Sequence, residues 1–448
     1  MIRRYVKLSR RAVMRGALAG AGMSLAGPGA AALAAGPGGP GAGGAGGGRF
    51  DPGDWASVRA QFPLNRRHLQ FTAYYLAAHP APVAAAIDRH RRALDRDTAI
   101  YVESFDARQQ EVRKAAAAFL GGGPDEIALT DSTTMGLALL YAGLRLKPGD
   151  EVLTTEHDFY ATHESLRLRT ARDGAAVKKV RLYEDPAAAS ADQMVARLRA
   201  GITPRTRAVA VTWVHSGTGV KLPVRAVADM VADANRGRDE ADRVLLCVDA
   251  VHGFGAEAPT PLELGCDFFV TGTHKWLFGP RGTGVIWGAK AAWARMDPTI
   301  PSFSMPALLG WWSGRPPEGP AAVLTTPGGF HTYEHRWALP EAFAFHRAIG
   351  PARIAARTRE QATRLKAGLA GMRHVTLLTP RDPAVSSGLV CCNVTGRKPD
   401  DVVTELREEH GIVASVTPYR DQALRFGPSI VTTPAEVDAV VRAMARLG

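Results

Sequence analysis

The amino-acid sequence predicts an α/β protein, a mostly parallel sheet between helices followed by a smaller C-terminal α/β unit, and three features carry that prediction. Apolar runs at residues 208–214, 244–248 and 267–271 are continuous rather than alternating, as parallel strands covered on both faces require. Helical stretches fall between them, the alternation expected of βαβ units. Polar residues gather where the runs end, and in open α/β sheets the ligand crevice lies outside the carboxyl ends of the strands. With 46% hydrophobic residues among 448, the chain can bury a core large enough for two or three domains.

The first fifty residues stand apart. Arg3, Arg4, Lys7, Arg10, Arg11 and Arg15 precede a mildly apolar Ala/Gly/Leu stretch and the small-residue site Ala32-Leu33-Ala34. Residues 1–34 therefore read as an export signal of twin-arginine type, which carries folded proteins through the twin-arginine translocation machinery to a periplasmic or secreted destination. A basic disordered tail is the alternative. Those six residues supply half of the net charge of +12, and no acidic residue precedes Asp51. The basic balance belongs to targeting, and no interleaved Arg/aromatic platform for nucleic acid follows. Residues 35–49 are almost purely Gly, Pro and Ala, a flexible linker. No later stretch approaches the roughly 18 uncharged apolar residues of a membrane span. Cys247, Cys266, Cys391 and Cys392 lack framework spacing and read as buried thiols.

Residues 68–71 are extended, and residues 82–95 form an amphipathic helix with Pro82 in its first turn. A helix over 106–120 stops at Gly121-Gly122-Gly123-Pro124. The strand at 127–130 runs into Asp131-Ser132-Thr133-Thr134-Met135-Gly136 and a helix at 137–144. Hydroxyls and free N–H groups at a helix start make an anion site; for Ser132 alone, an N-cap is the commoner role. Strands at 151–155 and 174–182, a helix at 191–201, a strand at 208–214 and a helix at 224–236 follow. A Trp-rich insertion at 293–312 carries Phe303, Trp311 and Trp312, which either wall the substrate pocket or pack at a subunit interface. Helices at 337–349 and 351–369 lead to strands at 375–378, 388–394 and 412–415 and helices at 400–410 and 434–447.

The chemistry concentrates between residues 245 and 287. The strand at 244–248 ends in Asp249, His252 follows in a loop, and the strand at 267–271 ends in Thr273-His274-Lys275 before a Gly-rich turn. Lys275 follows Asp249 by 26 residues. An acid and an amine at neighbouring strand ends suit pyridoxal 5'-phosphate: the carboxylate keeps the pyridine nitrogen protonated and the amine forms the Schiff base. The bland alternative is a capping Asp and a solvated Lys.

The motif T-H-K-W-L-F-G-P-R-G-T-G-V at 273–285 resembles the cofactor-lysine segment of class V aminotransferase-fold enzymes, among them isopenicillin N epimerase and the cysteine desulfurases, and the likeness runs in register from about Phe62 to the C-terminus. It implies a fold-type I pyridoxal-phosphate enzyme with a seven-stranded sheet. The implied domains are an N-terminal segment at 50–105 packing with the small domain, a large domain at 106–335 and a small domain at 336–448. It also assigns roles. Ser132, Thr133 and Thr134 match the phosphate-binding turn, with Thr273 and His274 near the same phosphate. His157, in Thr155-Glu156-His157, matches a ring-stacking histidine that relays protons. Ser216 and His252 approach the phenolic oxygen, Lys275 is the Schiff-base lysine and Asp249 its ring-nitrogen partner. Thr332 matches a threonine that reaches the phosphate of a neighbouring subunit, which implies a homodimer. Arg425, in Leu424-Arg425-Phe426, matches the arginine that forks onto the substrate α-carboxylate.

The resemblance implies a catalyst that labilises Cα of an amino acid or an amino-acid-containing peptide through an external aldimine and a Cα carbanion, with epimerisation, transamination and elimination or other lyase chemistry as exits. Residues 413–424 contain no cysteine, which disfavours persulfide chemistry. Export brings a second reading, tailoring the glutamate of a pyoverdine-type siderophore peptide. A third is a non-catalytic binding protein on the same fold. Asp249, His157, Lys275 and Arg425 together argue against the third, since a binding module needs no lysine poised for imine chemistry.

Overall fold

Thirteen short strands organise the part of the chain that a computed structural model describes, residues 50–448. The expected signal at 1–34 and linker at 35–49 lie outside the described residues. In chain order the strands are β1 (Leu69–Gln70), β2 (Ile127–Thr130), β3 (Glu151–Thr155), β4 (Ala176–Val180), β5 (Thr206–Thr212), β6 (Leu245–Asp249), β7 (Phe268–Gly272), β8 (Gly284–Gly288), β9 (Val375–Leu377), β10 (Val390–Val394), β11 (Ile412–Val413), β12 (Ser415–Val416) and β13 (Leu424–Phe426).

Seven of these form one sheet in the order β2-β8-β7-β6-β5-β3-β4. From β4 to β7 every neighbouring pair is parallel, whereas β8 is antiparallel to both β7 and β2. All residues of β2, β3, β6, β7 and β8 are buried, which explains the consecutive apolar residues of β2, β6, β7 and β8. Each large apolar side chain so covered contributes roughly 1.5–3 kcal/mol. The edge strand β4 instead carries Lys178 and Lys179, charges that discourage pairing with another chain. The sequence reading gives no strand at β8, because Gly-Val-Ile-Trp-Gly is short and its flanking glycines read as turn.

Strand order reverses between β3 and β5, since the chain moves outward from β3 to β4 and then returns to β5 on the other side. A crevice opens at such a point at the carboxyl ends of the strands. The helix Thr133–Gly143 begins directly after β2, at the same end of the sheet as the carboxyl end of β7, one turn earlier than the apolar pattern indicated. Its start is set by Ser132, whose Oγ accepts from the N–H of Met135 at 3.1 Å.

The C-terminal part builds a four-stranded antiparallel sheet, β12-β13-β10-β9, backed by the helices Pro351–Ala370, Pro399–His410 and Pro434–Ala445. The single strand expected at 412–415 breaks at Ala414: β11 pairs in parallel with β1, while β12 pairs with β13. The N-terminal segment thereby reaches the C-terminal unit, and its helix Ala81–Arg96 lies along the helix Tyr333–Ile349. The last helix opens with a capping box, Thr433 Oγ1 accepting from Glu436 N–H at 3.2 Å and Glu436 Oε2 from Thr433 N–H at 2.8 Å.

Candidate active site

The carboxyl ends of β5, β6 and β7 and the strands β12 and β13 enclose a cavity of about 520 Å³, lined among others by Asp249, His252, Lys275, Ser216 and Arg425. Residues separated by up to 351 positions in the chain, Tyr74 and Arg425, thus converge, and Arg425 Nη1 donates to the backbone oxygen of Ser216 at 3.4 Å.

Asp249 ends β6 and is buried, with Oδ1 accepting from Val251 N–H at 3.1 Å. Burial raises its pKa, against the Val251 N–H and the Lys275 ammonium, which favour the carboxylate. Lys275 lies just past β7. Burial lowers its pKa, Asp249 opposes that shift, and Arg425 adds to it. The turn that carries Lys275 is held rigidly. Phe278 adopts φ of 55°, a left-handed conformation uncommon for a bulky residue, and donates its N–H to Lys275 O at 2.9 Å. Its ring packs edge-on against Phe62 at 4.9 Å. Gly255, at φ of +84°, lets the loop after His252 press onto this turn, where a Cβ would meet Leu277 N at 2.6 Å.

His252 is buried, burial and the neighbouring Lys275 hold it neutral, and its Nδ1 has no partner. Arg425, on β13, is also buried. Its guanidinium lies over the Tyr74 ring at 4.3 Å, Nη2 donates to Ser415 Oγ at 3.3 Å, and Nε has no partner. No carboxylate pairs with Arg425 among the described residues. A buried guanidinium with free donors at a cavity wall is suited to an incoming carboxylate.

Other expected positions fall differently. Ser132 caps its helix, and Thr134 is exposed on it, so neither hydroxyl lines the cavity. Thr133 is buried, its Oγ1 accepting from Gly272 N–H at 2.6 Å, and this ties the helix start to the end of β7 beside the His274 ring. Thr273 is turned into its own turn, donating to Pro280 O at 3.3 Å, and is fully buried there. His157 does not line the cavity. Its ring stacks on Tyr183 at 3.8 Å, and Nε2 accepts from Leu182 N–H at 3.1 Å. The side chain that does line the cavity from this loop is Phe159, two residues on, which corrects the stacking role expected of His157. Phe159 lies outside the T-E-H triplet and carries no motif signal of its own. Thr332 is exposed next to Gly282, outside the cavity of its own chain. Phe303, Trp311 and Trp312 also lie outside it, each more than half exposed, so the pocket-wall reading of the insertion is corrected.

Sequence reasoning also missed Asp158. Its Oδ2 accepts from Thr154 Oγ1 and Thr155 N–H, both at 2.8 Å, and Oδ1 from Thr212 N–H at 2.7 Å, locking the ends of β3 and β5 together at the crevice. Tyr74, whose hydroxyl donates to Arg425 O at 2.6 Å, was likewise invisible, since only the fold brings residue 74 to β13.

A family model described as aminotransferase class-V matches residues 88–440. The chain belongs to the aminotransferase class-V family. Isopenicillin N epimerase of Streptomyces clavuligerus is 29% identical over 352 residues, 75% of this chain and 83% of that protein. A cysteine desulfurase of Pectobacterium carotovorum is 25% identical over 424 residues, covering 87% of this chain and 97% of its own length. Among solved structures, a mutant of C-DES with glycine covalently linked to its PLP cofactor superposes with a TM-score of 0.76 at 21% identity, over 87% of this chain and 99% of that one. The apo cysteine desulfurase of Thermococcus onnurineus gives 0.74 at 21% identity, over 88% and 97%. The fold is that of fold-type I pyridoxal-phosphate transferases, and this class V protein is a PLP-dependent enzyme. The cavity fits the cofactor: Asp249 has room for one more donor, His252 Nδ1 is unpartnered, Lys275 is free, and a helix N-terminus faces the same end of the sheet.

Proposed function

We propose that this enzyme labilises the Cα–H bond of an amino acid, or of a peptide bearing a free amino-acid centre, in the manner of isopenicillin N epimerase rather than by sulfur transfer. The observation that carries the reading is the meeting of an unengaged lysine, a buried acid and an arginine with free donors in one cavity. When bound, pyridoxal phosphate supplies the electron sink that acidifies Cα–H. Asp249 would hold the proton on the ring nitrogen and His252 would stand by the ring oxygen. Thr133, His274 and the helix N-terminus at Thr133–Gly143 would hold the phosphate. Arg425 clamps the α-carboxylate, which fixes Cα relative to Lys275. Lys275, its pKa lowered by burial, removes and returns the proton at Cα.

Thiol chemistry finds less support. All four cysteines are buried and free, none lines the cavity, and Cys391, the cross-strand partner of Arg425, is pushed up by burial to about 12. We further place the reaction in a homodimer, with Thr332 reaching the partner's phosphate site, and outside the cytoplasm, on the strength of Arg10-Arg11 and the apolar stretch that follows.

The test is incubation of the purified holoenzyme with amino acids in D2O, with α-deuteration, stereochemistry and products read by mass spectrometry and chiral chromatography. Deuterium at Cα with both enantiomers appearing supports epimerisation. Sulfide release from cysteine without α-exchange of other amino acids would overturn the reading.

A further inference from the structure

A guanidinium clamps a carboxylate well only when its plane is set before the ligand arrives. Hydrogen bonds set that of Arg425 poorly. Nη1 reaches Ser216 O at 3.4 Å and Nη2 reaches Ser415 Oγ at 3.3 Å, both beyond the roughly 2.7–3.2 Å of a well-formed N–H···O bond. The cation is held instead by the face of Tyr74, whose ring centroid lies 4.3 Å from Cζ. A cation over an aromatic face uses none of its N–H donors, so the ring orients the guanidinium and leaves those donors for a ligand.

Tyr74 is fixed in turn. It is fully buried, and its hydroxyl donates to Arg425 O at 2.6 Å and meets Ser415 Oγ at 3.0 Å. The ring therefore grips Arg425 at both ends, the hydroxyl at its backbone and the π face at its guanidinium. Gly427 seats the ring, because a Cβ there would strike it, and Gly427 N–H donates to Phe71 O at 2.8 Å, tying β13 to the segment that carries Tyr74. Tyr74 also packs against the buried indole of Trp276 at 6.5 Å between ring centroids, and the same Cβ at Gly427 would meet Trp276 Cη2 at 3.1 Å. Trp276 directly follows Lys275.

A run of contacts from Arg425 through Tyr74 to Trp276 thus joins the carboxylate-facing strand to the turn of the reactive lysine. Burial raises the Tyr74 pKa to about 12, with Arg425 opposing the shift, so its hydroxyl remains a neutral donor committed to two oxygens. Every one of these contacts is made within one chain by side chains with almost no exposed surface, so a second subunit neither supplies nor displaces them.

We infer that Tyr74 is the positioning residue of the carboxylate site: its ring sets the guanidinium of Arg425 relative to Lys275, and so sets where Cα of a bound amino acid stands. This role rests on the reading just proposed, in which Arg425 takes the α-carboxylate and Lys275 the proton.

The PLP-loaded enzyme is titrated with L-alanine and with L-alanine methyl ester, whose small side chain asks little of the rest of the cavity. Affinities are read by calorimetry and by the cofactor's visible absorbance. The unaltered enzyme is expected to prefer the acid, and Arg425→Ala to abolish that preference. Tyr74→Met, which fills much of the volume without a ring face, is expected to reduce the preference about ten-fold, the scale of a desolvated cation–π contact. Tyr74→Phe is expected to reduce it about two- to three-fold, through the lost hydrogen bond to Arg425 O. A merely structural tyrosine would weaken acid and ester alike and leave their ratio unchanged. Thermal melts establish which variants are folded, and Tyr74→Phe, which loses one hydroxyl, decides alone if Tyr74→Met does not fold. A ratio unchanged in a folded Tyr74 variant, while Arg425→Ala abolishes it, overturns the positioning role and leaves the proposed function standing. If Arg425→Ala keeps the preference, or if alanine gives neither heat nor a change in absorbance with the unaltered enzyme, the proposed function and the role of Tyr74 fall together.

Discussion

Lys366 and Lys275 are both withdrawn from water, yet they serve opposite ends. Burial lowers the pKa of Lys366 to about 8, and burial lowers that of Lys275 as well. Lys366 Nζ donates to Pro380 O at 2.8 Å, Arg381 O at 3.1 Å and Ser386 Oγ at 2.6 Å, which fills its three donors. Lys275 donates no hydrogen bond among the described residues and faces a cavity that holds an acid and a second cation. A lowered pKa is therefore common to a structural and a reactive lysine. The distinguishing property is free donor capacity directed into open space. Arg425 shares the unfilled donor capacity, its enclosed Nε having no partner beside that cavity.

The sharpest way to break this comparison is to remove each lysine in turn. Lys275→Ala is expected to reduce α-proton exchange by about 10³-fold or more, the range of general acid–base catalysis, and to leave the melting temperature unchanged or higher, because no hydrogen bond is lost. Lys366→Ala is expected to retain exchange and to lose about 2–3 kcal/mol of stability, since three carbonyl or hydroxyl acceptors lose their donor. Deuterium exchange and denaturant melts on both variants decide it. A Lys366 variant that melts normally and yet exchanges no proton would place the two lysines in one functional class.

Next in size is Arg425→Ala, expected to weaken substrates bearing an α-carboxylate by about 1.5–3 kcal/mol, the worth of a charge-assisted hydrogen bond. Calorimetric affinity for an amino acid and its methyl ester separates this from general damage, as the ester should bind both proteins alike.

The contrast also explains what the sequence could reveal. Asp249, Lys275 and the strands behind them were legible because short-range signals coincide there: a continuous apolar run, a polar terminus and a Gly-rich turn. β8 escaped because only three of its residues lie between its terminal glycines, and Tyr74 and Phe159 escaped because their roles depend on approach across the fold. His157 and Thr273 were named for motif position, but hydrogen-bond demands elsewhere hold them, Leu182 N–H in one case and Pro280 O in the other. Motif position identifies the loop, whereas the bonding of each atom decides which side chain in it remains available.

Burial of imidazoles also sets the acid limit of the fold. Burial lowers His346 to about 3 and His90 to about 4, and His346 Nε2 is unpartnered. In the unfolded chain these imidazoles titrate near about 6.5. Between those values the unfolded state binds more protons than the folded one, so stability is complete above about pH 6.5 and falls as pH decreases towards 4. Each such histidine contributes up to about 1.4 kcal/mol per pH unit within its window. Unfolding free energies at pH 7.5, 6 and 5 measure the slope, and His346→Leu should flatten it. A slope left unchanged in that variant would mean that His346 takes up its proton without opening the fold.

The smallest expected effect bears on the one position where motif and bonding disagree most openly. Ser132 matches a phosphate-binding turn, yet its Oγ is already occupied by the N–H of Met135 at 3.1 Å, a helix cap. The two roles separate cleanly. As a cap, Ser132→Ala costs about 1 kcal/mol of stability and leaves PLP affinity untouched, because the cap acts on the helix start and not on the ligand. As a phosphate ligand, the same change weakens the cofactor while the melt of the apo protein stays where it was. Thr133→Ala is the complementary variant: its Oγ1 accepts from Gly272 N–H, so its loss should loosen the junction of the helix with β7 and weaken PLP and stability together. Apo-protein melts and cofactor titrations by fluorescence give both quantities, and a Ser132 variant deficient only in PLP affinity would return that serine to the phosphate site despite its bond to Met135.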